Sequence, residues 1–174
     1  MATPVQEFAH LAAELGEDGF TTAGVARIAK RVAAAFRVHE DEVGILRVEG
    51  STLTFCHPAK LRHVGRIPLN TSASVAARTA ATRRAEIINN FAQVKHTTLF
   101  EAVNLAEESE FPPDPKLGLI QKLMSAPVLR EGRASGVLQV TRKGSSPTAA
   151  GPDFTPEDLQ TLVAIASSLS ACLR

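Results

Sequence analysis

The sequence predicts a single α+β domain built on a central, mostly antiparallel β-sheet of five to six strands. Apolar residues near both ends of the 174-residue chain recur with the spacing of amphipathic helices. Between them, two pairs of alternating apolar segments are joined by glycine-containing turns, which is typical of β-hairpins. A long, proline-containing segment separates the two pairs. We expect the terminal helices to cover one face of the sheet, and a short helix and this long segment to lie over the other.

The helices are predicted from apolar periodicity and from their caps. The first spans residues 4–15 and the second about 22–36, each with an apolar stripe at helical spacing. A short, alanine-rich helix is predicted within 70–85. The last helix begins after Thr155 and continues towards the end of the chain. These patterns divide the chain into an N-terminal helix at 1–19 and one domain at 20–174.

The strands are predicted from alternation and from the turns that bound them. They lie at 43–48, 53–57, 65–69, 86–90, 121–129 and 134–141. Residues 91–119, which we call the lid, contain three prolines and only one short helical stretch. So long a connection in a compact domain is typical of a binding loop.

Composition excludes several classes of function. The net charge of +1 gives no electrostatic basis for binding nucleic acid, and no apolar run approaches the roughly 20 residues that cross a bilayer. The chain contains no Trp or Tyr, which weakens a base-stacking role. The N-terminus lacks the pattern of a secretory signal, and the two cysteines, Cys56 and Cys172, are far apart. We therefore expect a cytoplasmic protein with free thiols that binds neither nucleic acid nor membrane.

The stretch TFCHPAKLRH, residues 54–63, contains one Cys and two His within ten residues. Cys56, His57 and His63 are the residue types of a metal site or of a nucleophile with its base. However, neighbouring residues on a strand point to opposite faces, which disfavours convergence of Cys56 and His57 on one ion or one substrate. We expect no metal and no catalytic residue here. Cys56 should pack on the helix-covered face, and His57 should end the strand at the opposite face.

Four segments in this order resemble a GAF domain, the PAS-like small-molecule-sensing module of many signalling proteins. They are VGILRVEGSTLTF, RIPLNTSASVAARTAATRRAEIINN, SAPVLREGRASGVLQVTRK and FTPEDLQTLVAIASSLS. The third is the most telling, because Gly136 would allow close backbone approach inside the sheet. The resemblance covers residues 20–174, and because one fold carries many functions it says little about the ligand.

The resemblance also implies positions for a ligand pocket and for a structural clasp. Members that bind cyclic nucleotides resemble this chain at Lys143, Phe154 and Asp158, which we interpret as a clasp tying the last strand to the last helix. The implied ligand-binding residues lie on three strands, at the start of the short helix and in the lid. They are Gly44, Leu46, His57, Ser74, Val75, Ala76, Phe100, Ile120 and Gln139.

The main hypothesis is a cytoplasmic sensory domain, not an enzyme, that binds an unidentified small molecule without any cofactor. Its output would pass through a homodimer formed by the terminal helices or through a protein effector. A second hypothesis is a scaffold domain whose cavity is closed. A third is a small redox enzyme similar to the free-methionine-sulfoxide reductases of this family, although its lid contains no cysteine.

Overall fold

The computed structural model describes residues 1–63, 65–71, 73–93 and 119–174. The helices in these ranges are α1 (Pro4–Leu15), α2 (Thr22–Phe36), α3 (Val75–Thr82) and α4 (Pro156–Leu169). The strands are β1 (Val43–Glu49), β2 (Thr52–His57), β3 (Ile67–Pro68), β4 (Glu86–Ile88), β5 (Leu119–Arg130) and β6 (Arg133–Gly144). Short 3-10 turns occupy Glu40–Glu42, Ala59–Leu61 and Phe91–Gln93. No helix in this part of the chain is long and apolar enough to cross a membrane.

The six strands form one antiparallel sheet in the order β3-β2-β1-β6-β5-β4, which confirms the predicted α+β class. Two strands are longer than predicted, since β5 and β6 each contain 12 residues. By contrast, β3 is only two residues long. The last helix ends at Leu169, and a turn follows it instead of further helix.

One face of the sheet is covered by α1, α2 and α4, as predicted for the terminal helices. Their apolar stripes and the facing strand residues form a single core cluster. Phe8, Leu11 and Ala12 of α1 are buried in this cluster, so the N-terminal helix shares the core of the 20–174 domain. Burial of each large apolar side chain contributes about 1.5–3 kcal/mol to folding.

The opposite face carries α3. Ala76, Ala77 and Ala80 of this helix pack on Leu46 and Leu53 of the sheet in a second cluster. The small alanine side chains let α3 approach the strands closely. Residues 94–118 of the predicted lid, with its short helix and Phe100, lie outside the described residues.

Gly136 lies where β6 passes closest to its neighbours, as predicted from the sequence. A Cβ atom at this position would lie 2.6 Å from the Leu46 carbonyl oxygen and 3.1 Å from Phe20 Cζ. Real Cβ atoms do not approach a backbone oxygen so closely, so the residue must be glycine for the strands and the Phe20 ring to pack as they do.

Candidate functional site

A cavity of about 30 Å³ opens on the α3-bearing face of the sheet, at the end of β6. Its volume corresponds to one or two water molecules, or to one small functional group of a larger ligand. The lining residues come from four strands, β1, β2, β5 and β6, and from the turns before β1 and after β2. They are Asp41, Glu42, Val43, Gly44, Phe55, Pro58, Leu61, Ile120, Gln139, Thr141 and Lys143.

The polar wall of the cavity is a stripe along β6. Gln139, Thr141 and Lys143 alternate along the strand and therefore project to the same face. The residues between them, such as Val140, face the helices on the other side. The apolar residues of β6 thus face the helix-side core, and its polar residues face the cavity.

Gly44 leaves the floor of the cavity open. It pairs with Gln139 across β1 and β6. A Cβ atom at Gly44 would lie 3.4 Å from Gln139 Cβ and 3.7 Å from Gln139 Oε1, which are ordinary contact distances. A side chain would therefore fit at this position but would occupy space that the cavity now holds.

A buried hydrogen-bond chain fixes the orientation of the Gln139 amide. The Thr79 hydroxyl donates to the Val75 carbonyl oxygen over 2.9 Å, so the 2.7 Å contact between Thr79 and Ser125 needs the Ser125 hydroxyl as its donor. Ser125 Oγ then accepts from Gln139 Nε2 over 3.3 Å. The Gln139 Oε1 acceptor is consequently left on the side of Gly44, at the cavity floor.

Lys143 places a positive charge at the mouth of the cavity, and no carboxylate of the described residues forms an ion pair with it. Its Nζ donates to the Asp41 carbonyl oxygen over 3.2 Å. The Asp41 carboxylate pairs with Lys60, and the Glu42 carboxylate accepts from the backbone N–H groups of His39 and Lys143. Burial lowers the pKa of Lys143, and the Lys60 charge lowers it further, against the opposing effects of Asp41 and Glu42.

The predicted clasp has different partners in the structure. Lys143 faces the cavity, whereas Asp158 lies in the capping box at the start of α4, where its Oδ2 accepts from the Thr155 N–H over 2.8 Å. No ion pair joins Lys143 to Asp158 among the described side chains. The reason is geometric, because α4 covers the opposite face of the sheet from the one to which Lys143 projects.

Asn89 and Arg142 make the connection to α4 that was assigned to Lys143. Phe154, which is 3% exposed, donates its N–H to Asn89 Oδ1 over 2.9 Å and accepts from Asn89 Nδ2 over 3.0 Å. The Arg142 guanidinium lies 4.8 Å from the centre of the Phe154 ring, a cation–π distance. The alternation of β6 could have indicated Arg142, since it puts that residue and not Lys143 on the helix side.

Of the ligand-binding residues implied by resemblance, Gly44, Ile120 and Gln139 line this cavity together. Leu46 is fully buried against α3 in the second core cluster. The His57 Nε2 atom lies 3.0 Å from the Glu40 carbonyl oxygen, and the following residue, Pro58, forms the cavity wall.

The residues at the start of α3 are buried and lie outside the lining of this cavity. Ser74 caps the helix by accepting from the Ala77 N–H over 3.2 Å. Val75 and Ala76 are fully buried in the core. The hydrogen bonds from Val75 through Thr79 and Ser125 link this helix to Gln139 of the cavity. Phe100 lies outside the described residues.

Cys56 packs against the helix-side core, as predicted, and therefore faces away from the cavity. Burial raises its pKa, so the thiol stays protonated at neutral pH. Cys172 is fully buried after α4. In the described ranges, no group of three or more His, Cys, Asp or Glu side chains is placed to hold a metal ion.

Comparison with known proteins identifies the fold independently of the cavity. A family model described as GAF domain matches residues 23–173. No protein of curated function matches the chain.

Solved structures of low sequence identity have the same fold. The GAF domain of an Acinetobacter phosphoenolpyruvate-protein phosphotransferase has a TM-score of 0.66 at 14% identity, covering 99% of this chain and 94% of that chain. A GAF domain of A. aeolicus in an inactive state has a TM-score of 0.61 at 17% identity, covering 96% and 91%. Free methionine-R-sulfoxide reductase from Neisseria meningitidis, in complex with its substrate, has a TM-score of 0.61 at 17% identity, covering 98% and 90%.

Proposed function

Because this chain belongs to the GAF domain family, whose members commonly act in sensing or regulation, we propose that it is a sensory domain that binds a small molecule in the cavity beside β6. The observation that carries the proposal is the polar stripe of Gln139, Thr141 and Lys143 beside the open floor at Gly44. Core-facing strand positions are normally apolar, and a ligand pocket typically combines an apolar lining with a few polar groups that fix the ligand's orientation.

The chemistry of the stripe indicates what part of a ligand it accepts. Gln139 Oε1 is an acceptor, and the Thr141 hydroxyl, which donates to the Glu42 carbonyl oxygen over 3.1 Å, keeps lone pairs for a ligand donor. Lys143 Nζ has three N–H groups, of which one bonds to Asp41. The cavity therefore suits a small polar group that combines hydrogen-bond donors with an acceptor.

Output is proposed to pass through α1 and α4, in a homodimer or to a protein effector in the cytoplasm. These two helices pack on each other, and each has an exposed valine on its outer surface. Val5 is 40% exposed and Val163 is 43% exposed. Exposed apolar residues on two helices that pack together support a contact with a second copy of the chain.

Substituting Gly44 by alanine tests the cavity directly. The added methyl group should reduce or abolish stabilisation by any ligand that binds there, because it occupies the floor next to Gln139. Stability without ligand should stay the same or rise by about 0.5–1 kcal/mol, since glycine in a strand interior is unfavourable relative to alanine. The measurement is a thermal-shift screen of metabolites and cyclic nucleotides, followed by calorimetry on each compound that stabilises the protein.

Ser167→Ala, on the exposed side of α4, serves as the control, and it should bind like the wild type. A compound that stabilises wild type and Gly44→Ala equally binds elsewhere. If no compound stabilises the wild type, the sensory proposal fails. The second candidate function, a ligand-free scaffold domain, is then favoured, and the small volume of about 30 Å³ is the observation that supports it.

We expect no sulfoxide reductase activity, despite the likeness in fold to the Neisseria enzyme. Reduction of methionine sulfoxide by two thiols yields methionine, a disulfide and water, and it needs a reactive thiolate at the substrate. Cys56 faces the helices instead, and burial raises its pKa. With dithiothreitol as reductant, methionine release from free methionine sulfoxide should be equally negligible for the wild type and for Cys56→Ser. Turnover by the wild type that Cys56→Ser loses would make the redox enzyme the correct function.

A further inference from the structure

We propose that Lys143 binds an anionic group of the ligand, a carboxylate or a phosphate, at the mouth of the cavity. This inference rests on the proposed function and specifies the ligand class for the same site. It also changes the role of Lys143 from a structural clasp to the main determinant of ligand charge.

The first argument is the missing counter-charge. The other buried lysine in the described residues, Lys122, is 5% exposed and pairs with Asp153 over 2.8 Å while donating to the Gly151 carbonyl oxygen over 2.6 Å. Lys143 is half-buried, and among the described residues its ammonium bonds only to a carbonyl oxygen. A buried ammonium without a carboxylate is unfavourable, so a negative group in the adjacent cavity would be stabilised there.

The second argument is that the neighbouring carboxylates are already engaged. Both oxygens of Glu42 accept backbone N–H groups, over 2.9 Å from His39 and 2.7 Å from Lys143. The Asp41 carboxylate pairs with Lys60, with Oδ2 3.3 Å from Lys60 Nζ. Only the backbone carbonyl oxygen of Asp41 accepts a hydrogen bond from Lys143. Within the described ranges, two of the three donors of the Lys143 ammonium therefore remain for a ligand.

The third argument is the position of Lys143 relative to the rest of the stripe. It lines the same cavity as Thr141 and Gln139, two and four residues earlier on the same strand. A ligand whose anionic group contacts Lys143 can therefore place a hydrogen-bond donor against Thr141 or Gln139. The site thus selects a molecule that is anionic at one end and has a donor at the other.

Anion binding at Lys143 has a definite pH dependence. The charged groups around the ammonium are Asp41, Glu42 and Lys60, and burial lowers the pKa of Lys143 below the ordinary lysine value. An anion that binds the protonated amine raises this pKa, and its affinity falls as the pH rises through the pKa of the free protein. A neutral ligand would show neither effect.

The experiment uses the full chain labelled with ¹³C-lysine, in which only six lysines give signals. The signal missing from Lys143→Gln identifies Lys143. The probes are acetate and inorganic phosphate, with acetamide and chloride as controls at constant ionic strength. We expect saturable movement of the Lys143 Cε–Hε signal and a higher titration midpoint with acetate, with phosphate, or with both, which also distinguishes a carboxylate from a phosphate ligand. The Lys122 signal should not move, because that ammonium already has Asp153.

Lys30→Gln is the control variant, since it removes an exposed lysine of α2, on the other side of the sheet from the cavity, and should retain the anion-dependent shift. The inference is overturned if the Lys143 signal is unaffected by both anions, if acetamide or chloride moves it equally, or if Lys30→Gln abolishes the effect. Its failure can be separated from failure of the sensory function. A metabolite that binds wild type and Lys143→Gln equally, and Gly44→Ala weakly, supports the cavity but refutes the role of Lys143. If anions bind at Lys143 but no metabolite stabilises the protein, the anion site at Lys143 is supported and the sensory function is refuted.

Discussion

Replacement of Gly136 by alanine is expected to lower the free energy of unfolding by about 1–3 kcal/mol, the usual cost of overpacking a well-packed site. The new Cβ would lie 2.6 Å from the Leu46 carbonyl oxygen, which is part of β1 and cannot rotate away. The β1 and β6 backbones must therefore separate, and the Phe20 ring must move as well. Urea denaturation would measure the change, and the melting temperature should fall by about 2–4 °C for each kcal/mol lost.

Gly44→Ala is the control for this experiment, because Gly44 also lies in the β1–β6 pair but has room for a methyl group. Only Gly136→Ala should be destabilised. Equal stability of Gly136→Ala and wild type would show that β1 and β6 lie further apart than they do in this structure.

Replacement of Asn89 by alanine is expected to destabilise the protein by about 1–3 kcal/mol, because it leaves the Phe154 N–H and carbonyl groups without their partner. Phe154 is buried at the entry to α4, where water cannot easily replace the lost hydrogen bonds. Thermal and urea unfolding would report the loss. Hydrogen exchange should locate it, through faster exchange of the Phe154 amide and of the first turn of α4.

Asn90→Ala provides a closely matched comparison. Asn90 is exposed, and its backbone carbonyl oxygen, which accepts from the Gln93 N–H over 2.9 Å, is retained in the variant. We expect a change within about 0.5 kcal/mol, as for surface substitutions in general. Similar losses in both variants would mean that the Asn89 side chain does not hold Phe154.

The fold could be predicted from sequence because its determinants are local. The apolar periods of α1 and α2 and the glycine turns between strand pairs each lie within about 20 residues of chain. The extra length of β5 and β6 could not be predicted this way, since pairs such as Leu119 with Gly144 are stabilised across the sheet and not by their own propensities.

The contacts that form the candidate site join residues that are far apart in the sequence. Alternation indicates that Lys143 and Gln139 share a face, but it cannot show that the Lys143 ammonium contacts Asp41, which is 102 residues away. Asn89 and Phe154 are separated by 65 residues, and no local pattern relates them. Such contacts follow only from the packed sheet. The clasp was assigned to Lys143 by family resemblance, although the alternation of β6 places Arg142 on the helix side.

Because its side chains alternate between two faces, β6 contacts both the cavity and the entry to α4. Thr141 and Lys143 contact the cavity, and Arg142, the residue between them, stacks on Phe154 at the entry to α4. A rotation of this strand segment about its own axis, driven by a ligand drawing Lys143 inwards, would displace Arg142 in the opposite direction. In the proposed sensor, a single peptide unit would therefore separate the ligand contact at Lys143 from the helix contact at Arg142, and β6 would pass the movement from one to the other.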